Sequence, residues 1–212
     1  YNPSVMNDGR VLYLRWDYTD TPHVWNRILM SMNPDGTGQT AYYGGSSYWP
    51  NSVFYSRAIP RQPTKFVGIV SGHHGVRRMG ELVLFDPALG RHEASGAIQR
   101  IPGYGKPVEP IIQDQLVDAS WPKFLHPWPL SDKYFLASCQ RTPDSPWGLY
   151  LVAVFDNMVP LRFEEGYALL EPVPLQQRET PPVVRGAATS DRTYATYRTY
   201  PAYDTVFLED LY

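Results

Sequence analysis

The sequence predicts an all-β chain made of repeated four-stranded units, and three observations lead there. There are 21 prolines and 16 tyrosines among 212 residues; proline breaks helices and settles in turns and on sheet edges, whereas tyrosine favours strands. No segment of about 11 residues keeps apolar side chains at helical spacing without a proline or glycine interrupting it. Short apolar runs bounded by Gly, Pro, Asn, Asp or Ser recur along the whole length instead, as strands do.

In chain order the runs predict strands over Val11–Trp16, Arg27–Met32, Gln39–Tyr43, Val53–Arg57, Phe66–Val70 and Glu81–Phe85. They continue with Lys123–His126, Tyr134–Ser138, Leu149–Phe155, Val159–Phe163, Tyr194–Tyr200 and Thr205–Leu208. The runs repeat as groups. "NPSVMNDGRVLYL" aligns with "HPWPLSDKYFLAS", matching Pro3 with Pro127, Met6 with Leu130, Asp8 with Asp132 and Leu12 with Leu136. Each reads as a short strand, a polar turn and a second strand; the Asp carboxylate accepts a backbone N–H in the turn, and Gly9 supplies positive φ. "ILMSMNPDGTGQTAYY", "ELVLFDPALGRHE" and "LYLVAVFDNMVPLRF" share the next shape, a strand, a turn holding Asp35, Asp86 or Asp156, and a return strand. "SVFYSRAIPRQPTKFVGIVSG" supplies the remaining strand pair.

Turn aspartates 51 and 70 residues apart, the longer gap carrying an insertion over 98–120, give a period of roughly 40–50 residues with four strands each, the signature of β-propeller blades. The expected architecture is a β-propeller: about three full blades over residues 1–180, and over 181–212 a partial further blade or a connection to a C-terminal part. A β-sandwich with coincidental turns is the alternative. Three and a fraction blades do not close a ring of common size, and the final "FLEDLY" falls inside a strand pair. The expectation is therefore a segment of a larger ring.

Composition narrows the function. Apolar residues at 43% and charged residues at 19% suit a folded core rather than a disordered chain. A net charge of -2 with no basic stripe argues against a nucleic-acid partner. No apolar run approaches the roughly 18 residues of a membrane span. The single cysteine, Cys139, rules out an internal disulfide, a CxxC metal knuckle and a CxxCH haem-attachment motif within these residues. No Ser-His-Asp order, P-loop, dinucleotide-binding motif or HExxH string is present.

Five residues are candidates for a divalent metal such as zinc. Asp17 and Asp20 precede His23 in "RWDYTDTPH", and His73 and His74 lie between glycines in "SGHHGVRRMG"; carboxylate and neutral imidazole are common ligands. Adjacent histidines point opposite ways in extended chain, so one of the pair faces a given site. Cys139 closes "FLASC" and is either a ligand, a redox partner or a small buried hydrophobe. The bland readings are an exposed histidine loop and an Asx turn at Asp20. His126, held extended by Pro127, is expected to pack between Trp121 and Trp128. The tryptophans are expected between blades. Paired carboxylates for hydrolysis have candidates in Glu164, Glu165 and Glu171, with nothing in the sequence to bring them together.

The strings "DGRVLYLRWDYTDTPH", "LMSMNPDGTGQ", "SGHHGVRRMGELVLFDPALGRHE", "IQRIPGYGKPV", "HPWPLSDKYFLASC" and "WGLYLVAVFDNMVPL" together resemble the propeller region of the hydrazine synthase alpha subunit and its relatives. "MNPDGTGQ" alone resembles TolB-like propellers in general. The resemblance covers about residue 2 to about residue 180. It implies an extracytoplasmic protein, in a periplasmic or anammoxosome-like compartment, whose propeller serves as scaffold. Its partners would be other domains or subunits of a larger complex. Its loops would dock a c-type haem domain lying outside these residues and lend a metal ligand to a multi-haem oxidoreductase. The alternative is an independent TolB-like interaction propeller without a redox role. Family membership does not fix a reaction.

Overall fold

A computed structural model describes residues 1–17, 27–74, 78–115 and 117–184. Among them are twelve strands and no helix: β1 (Ser4–Val5), β2 (Val11–Trp16), β3 (Arg27–Met32), β4 (Thr40–Tyr43), β5 (Ser52–Ala58) and β6 (Phe66–Ser71), then β7 (Glu81–Phe85), β8 (Ala97–Ile101), β9 (Lys123–Pro129), β10 (Tyr134–Gln140), β11 (Gly148–Ala153) and β12 (Met158–Arg162). They form three four-stranded antiparallel sheets, each a simple meander in chain order. The repeated sequence groups are these sheets. The three turn aspartates Asp35, Asp86 and Asp156 all lie between the third and fourth strands of a sheet.

Turn chemistry sets the meander. Gly9 takes φ +85° and Asp8 accepts the N–H of Arg10 at 3.0 Å, so "NDG" closes β1 onto β2. Asp35 accepts the N–H of Thr37 at 3.1 Å beside Gly36 at φ +86°. Within strands, proline occurs at Pro127, Pro129 and Pro160. These belong to β9 and β12, the two edges of the third sheet, where a missing N–H costs no ladder bond.

Burial explains why the middle sheet reads as continuous apolar runs. All six residues of β6 and four of five in β7 are buried. Their side chains alternate between two cores. Val53, Phe66, Val70, Val83 and Phe85 pack against Leu12, Leu29, Tyr43 and Trp49 of the first unit. Phe54, Val67, Ile69, Leu82 and Leu84 pack against Phe135, Ala137, Cys139 and Val152 of the third. Phe66 and Phe85 stack at 4.8 Å with rings 7° apart; burying one such ring stabilises by roughly 1.5–3 kcal/mol. At the edge of the third sheet Val159 and Leu161 of β12 are about half exposed.

One sequence expectation needs correction. Ala97–Ile101 forms β8, inside the stretch read as an insertion, so the return strand after Asp86 comes later than residue 93. The intervening residues act as a clamp on the first sheet: the Glu93 carboxylate accepts the N–H groups of Tyr48 and Trp49 at 2.9 and 2.8 Å. The short strand expected before the "NDG" turn is present as β1, with Ser4 opposite Leu12. The strands expected at Tyr194–Tyr200 and Thr205–Leu208 lie outside the described residues.

After β12 the chain turns at Glu164–Tyr167 and then runs without regular structure through residue 184 across the other sheets. The Leu169 N–H reaches the Trp147 carbonyl at 3.5 Å. Glu171 meets His126 at 3.5 Å, and Glu179 pairs with Arg61 at 3.0 Å. The Pro182 carbonyl lies against Gly9 so closely that a Cβ there would sit 2.2 Å from it. This strap touches all three sheets.

Candidate functional site

The first strands β1, β5 and β9 adjoin, and each carries the same irregularity. Tyr1 and Ser4 sit opposite Leu14 and Leu12. Phe54 and Arg57 sit opposite Ile69 and Val67. Leu125 and Trp128 sit opposite Ser138 and Leu136. In every case three steps on the first strand face two on its neighbour, which is a one-residue β-bulge. The residues taking up the slack are left-handed: Asn2 at φ 49°, Tyr55 at 53° and His126 at 49°. Four residues later Met6, Ile59 and Leu130 each donate a backbone N–H across the first turn, so the three positions are structurally equivalent. Left-handed backbone costs a non-glycine residue roughly 1–2 kcal/mol. Strain repeated at one position per sheet, in adjoining strands, points to a site.

The bulges aim their side chains into one pocket of about 200 Å³. Asn2, Tyr55 and His126 line it with the residues two further on, Ser4, Arg57 and Trp128; Glu171, Pro172 and Val173 of the strap form the opposite wall. His126 meets Tyr55 edge to face at 4.3 Å and offers Nε2 to Glu171. This corrects two expectations. His126 is left-handed rather than extended, and it packs against Tyr55 while Trp121 turns to Lys123 at 4.2 Å. The Arg57 guanidinium lies 4.2 Å over the Trp128 ring, and Arg178 lies 5.0 Å from the same ring. Burial lowers the pKa of Arg57, and the neighbouring Arg178 lowers it further, against the pull of Glu171. Burial likewise lowers the pKa of His126, with Glu171 opposing, which favours neutral imidazole. Two polar atoms of residues that line the pocket, Asn2 Oδ1 and His126 Nδ1, are buried and have no hydrogen-bond partner.

The residues expected from the sequence go elsewhere. His73 and His74 pack edge to face at 4.3 Å on the β6–β7 connection. His74 Nδ1 is 2.8 Å from Asp114, and His73 lies 6.2 Å from Trp16, the neighbour of Asp17. Asp17 itself takes Arg15 Nε at 3.0 Å. Burial, then Arg27, holds the His73 imidazole below its ordinary pKa. Asp20 and His23 lie outside the described residues. Cys139 is 0% exposed in the core between the second and third sheets, and burial pushes its thiol up to about 12. Among the described residues no three His, Cys, Asp or Glu side chains group to hold a metal ion. A covalently attached haem does not fit this chain's residues, since its one thiol is enclosed. Glu164 pairs with Arg162 at 2.8 Å while Glu171 faces His126, so the carboxylates are engaged separately.

A wider cleft of about 530 Å³ lies beside Pro102, Pro122, Arg141 and Asp156. Its carboxylate is already committed: Asp156 accepts the N–H groups of Gly103 and Tyr104, each at 2.9 Å. Sequence reasoning missed the first-strand pocket because its bulge residues are Asn, Tyr and His, which share no type. The available signal was position. Each falls four residues before the apolar residue that opens the first turn.

Comparison with family models, with curated proteins and with solved structures finds no match for this chain. Among the described residues no helix is long and apolar enough to cross a membrane.

Proposed function

We propose that the chain is a run of β-propeller blades acting as a scaffold and binding segment of a larger extracytoplasmic protein, with the first-strand pocket as its ligand site. Three like meanders stacked face to face, with their first strands adjoining, support the propeller reading. One observation carries the binding role: three equivalent left-handed residues converge on a pocket that holds unpartnered polar atoms. The resemblance to the hydrazine synthase alpha subunit adds a partner, a c-type haem domain docking on the loops and bringing its own thiols. His73, His74 and Asp114 do not by themselves group to hold an ion, so any metal site in that role would be completed by the partner. A second reading, an interaction propeller with no redox role, is favoured by the enclosure of Cys139 and the pairing of His74 with Asp114.

The test is NMR of the labelled chain against a mixture of small anionic, cationic and neutral organic compounds. Saturable shifts centred on the backbone signals of Tyr55 and His126 and the Trp128 indole are expected. Shifts confined to the His73–His74 rim, or none, overturn the assignment of the site.

A further inference from the structure

We propose that the first-strand pocket binds a small organic carboxylate carrying a hydroxyl or ammonium donor beside the carboxylate; this rests on the pocket being the ligand site. Charge supplies the first half. Two guanidiniums, Arg57 and Arg178, share the Trp128 ring, and the one carboxylate in the pocket wall, Glu171, is directed at His126. Among the described residues no carboxylate lies within ion-pair distance of Arg57. A half-buried guanidinium stacked on an indole and lacking an ion-pair partner is preorganised for a bidentate carboxylate. A ligand carboxylate pairs with the guanidinium that Glu171 leaves without an ion-pair partner.

The orphaned atoms supply the second half. Asn2 Oδ1 accepts only. His126 Nε2 lies 3.5 Å from Glu171, and in the tautomer that carries its hydrogen on that side Nδ1 accepts as well. Two buried acceptors without donors cost roughly 1–3 kcal/mol each, and a ligand O–H or N–H relieves that cost. The Tyr55 and Trp128 rings offer an apolar surface to the ligand body. Size sets the upper limit: about 200 Å³ is the liquid volume of about seven water molecules, enough for a single-ring acid.

The experiment titrates the full chain with mandelate, phenylglycine, phenylacetate and mandelamide, following the Trp128 indole N–H signal. Mandelate or phenylglycine is expected to saturate the signal at a concentration at least tenfold below that of phenylacetate, which lacks the donor, and of mandelamide, which lacks the charge. The better of the first two tells hydroxyl from ammonium. Arg57→Gln is expected to raise the Kd at least tenfold, and Arg57→Lys to recover part of the loss; a thermal melt confirms that both variants fold. Equal binding of mandelamide, equal binding of phenylacetate, or an unchanged Kd in Arg57→Gln each overturns the ligand class while leaving the pocket a binding site. Silence from all four compounds, in a chain whose Trp128 signal responds to no small molecule, overturns the site as well.

Discussion

At the scale of single residues, Cys139 shows how environment decides chemistry. A reactive thiol is ionised and reachable; this one is enclosed and its pKa is pushed up to about 12 from an ordinary 9.0. Thiol reagents are therefore expected to label the protein only on unfolding, which a colorimetric thiol assay with and without denaturant checks. Cys139→Ser would place a hydroxyl in the same apolar surroundings and is expected to cost about 1–3 kcal/mol, read from urea melts. The raised pKa fixes the sign of a pH effect. The folded thiol keeps its proton where the unfolded one loses it, so its contribution is complete below about pH 9 and is lost as pH rises towards about 12. Burial also raises Tyr42 and Tyr43 to about 12 from 10.0, extending the same slope. Melting temperature is expected to fall from about pH 9 upward, and Cys139→Ala to flatten the first part of that fall. A melting temperature that holds constant up to pH 11 would contradict the burial argument.

At the scale of elements, the junction between the second and third sheets depends on close approach. Gly80 and Phe124 exchange backbone hydrogen bonds of 3.2 and 2.8 Å, and a Cβ on Gly80 would lie 2.0 Å from the Val70 carbonyl. Gly80→Ala is expected to destabilise by about 3 kcal/mol. Gly36→Ala, at φ +86° in open space, is expected to cost about 1–2 kcal/mol, the strain alone. Chemical denaturation of both variants separates steric conflict from backbone strain. Most strands were legible in the sequence because their signals are local: alternation at Leu12 and Leu14, the "NDG" and "NPDG" turns, the apolar run at Phe66–Val70. The β8 strand was not, because Ile98 and Gln99 alternate weakly and the Glu93 clamp that delays them is a contact between distant segments. The pocket was illegible for a related reason. A bulge is a mismatch between two strands, and one strand read alone cannot show it. Asp86, by contrast, is structural as expected, taking the Thr64 hydroxyl at 2.6 Å and the Ala88 N–H at 3.0 Å, whereas in the turn at Asp132 it is Ser131 Oγ that accepts the N–H groups of Lys133 and Tyr134.

At the scale of the whole molecule, stability should be graded by position in the stack. The middle sheet has protein on both faces, whereas β12 at the edge of the third sheet is largely exposed. Local opening free energy rises with buried apolar contact and shielding of the backbone. Hydrogen exchange is therefore expected to be slowest in β6 and β7 and fastest in β12, whose last four residues are exposed, with β2 and β10 between. The strap adds a second expectation. It is tied to the sheets by side-chain contacts of Glu171, Arg178 and Glu179, with only sparse backbone pairing. Its amides should exchange early, and a carboxylate held at Arg57 should slow those of Glu171 and Val173 together with Tyr55. Slow exchange in β12 matching that of β6 would show that its face is covered, and would place the unit's boundary beyond these three sheets. Fast exchange there, with β6 and β7 protected, would show that the β12 edge is uncovered in this chain while the middle sheet is shielded on both faces.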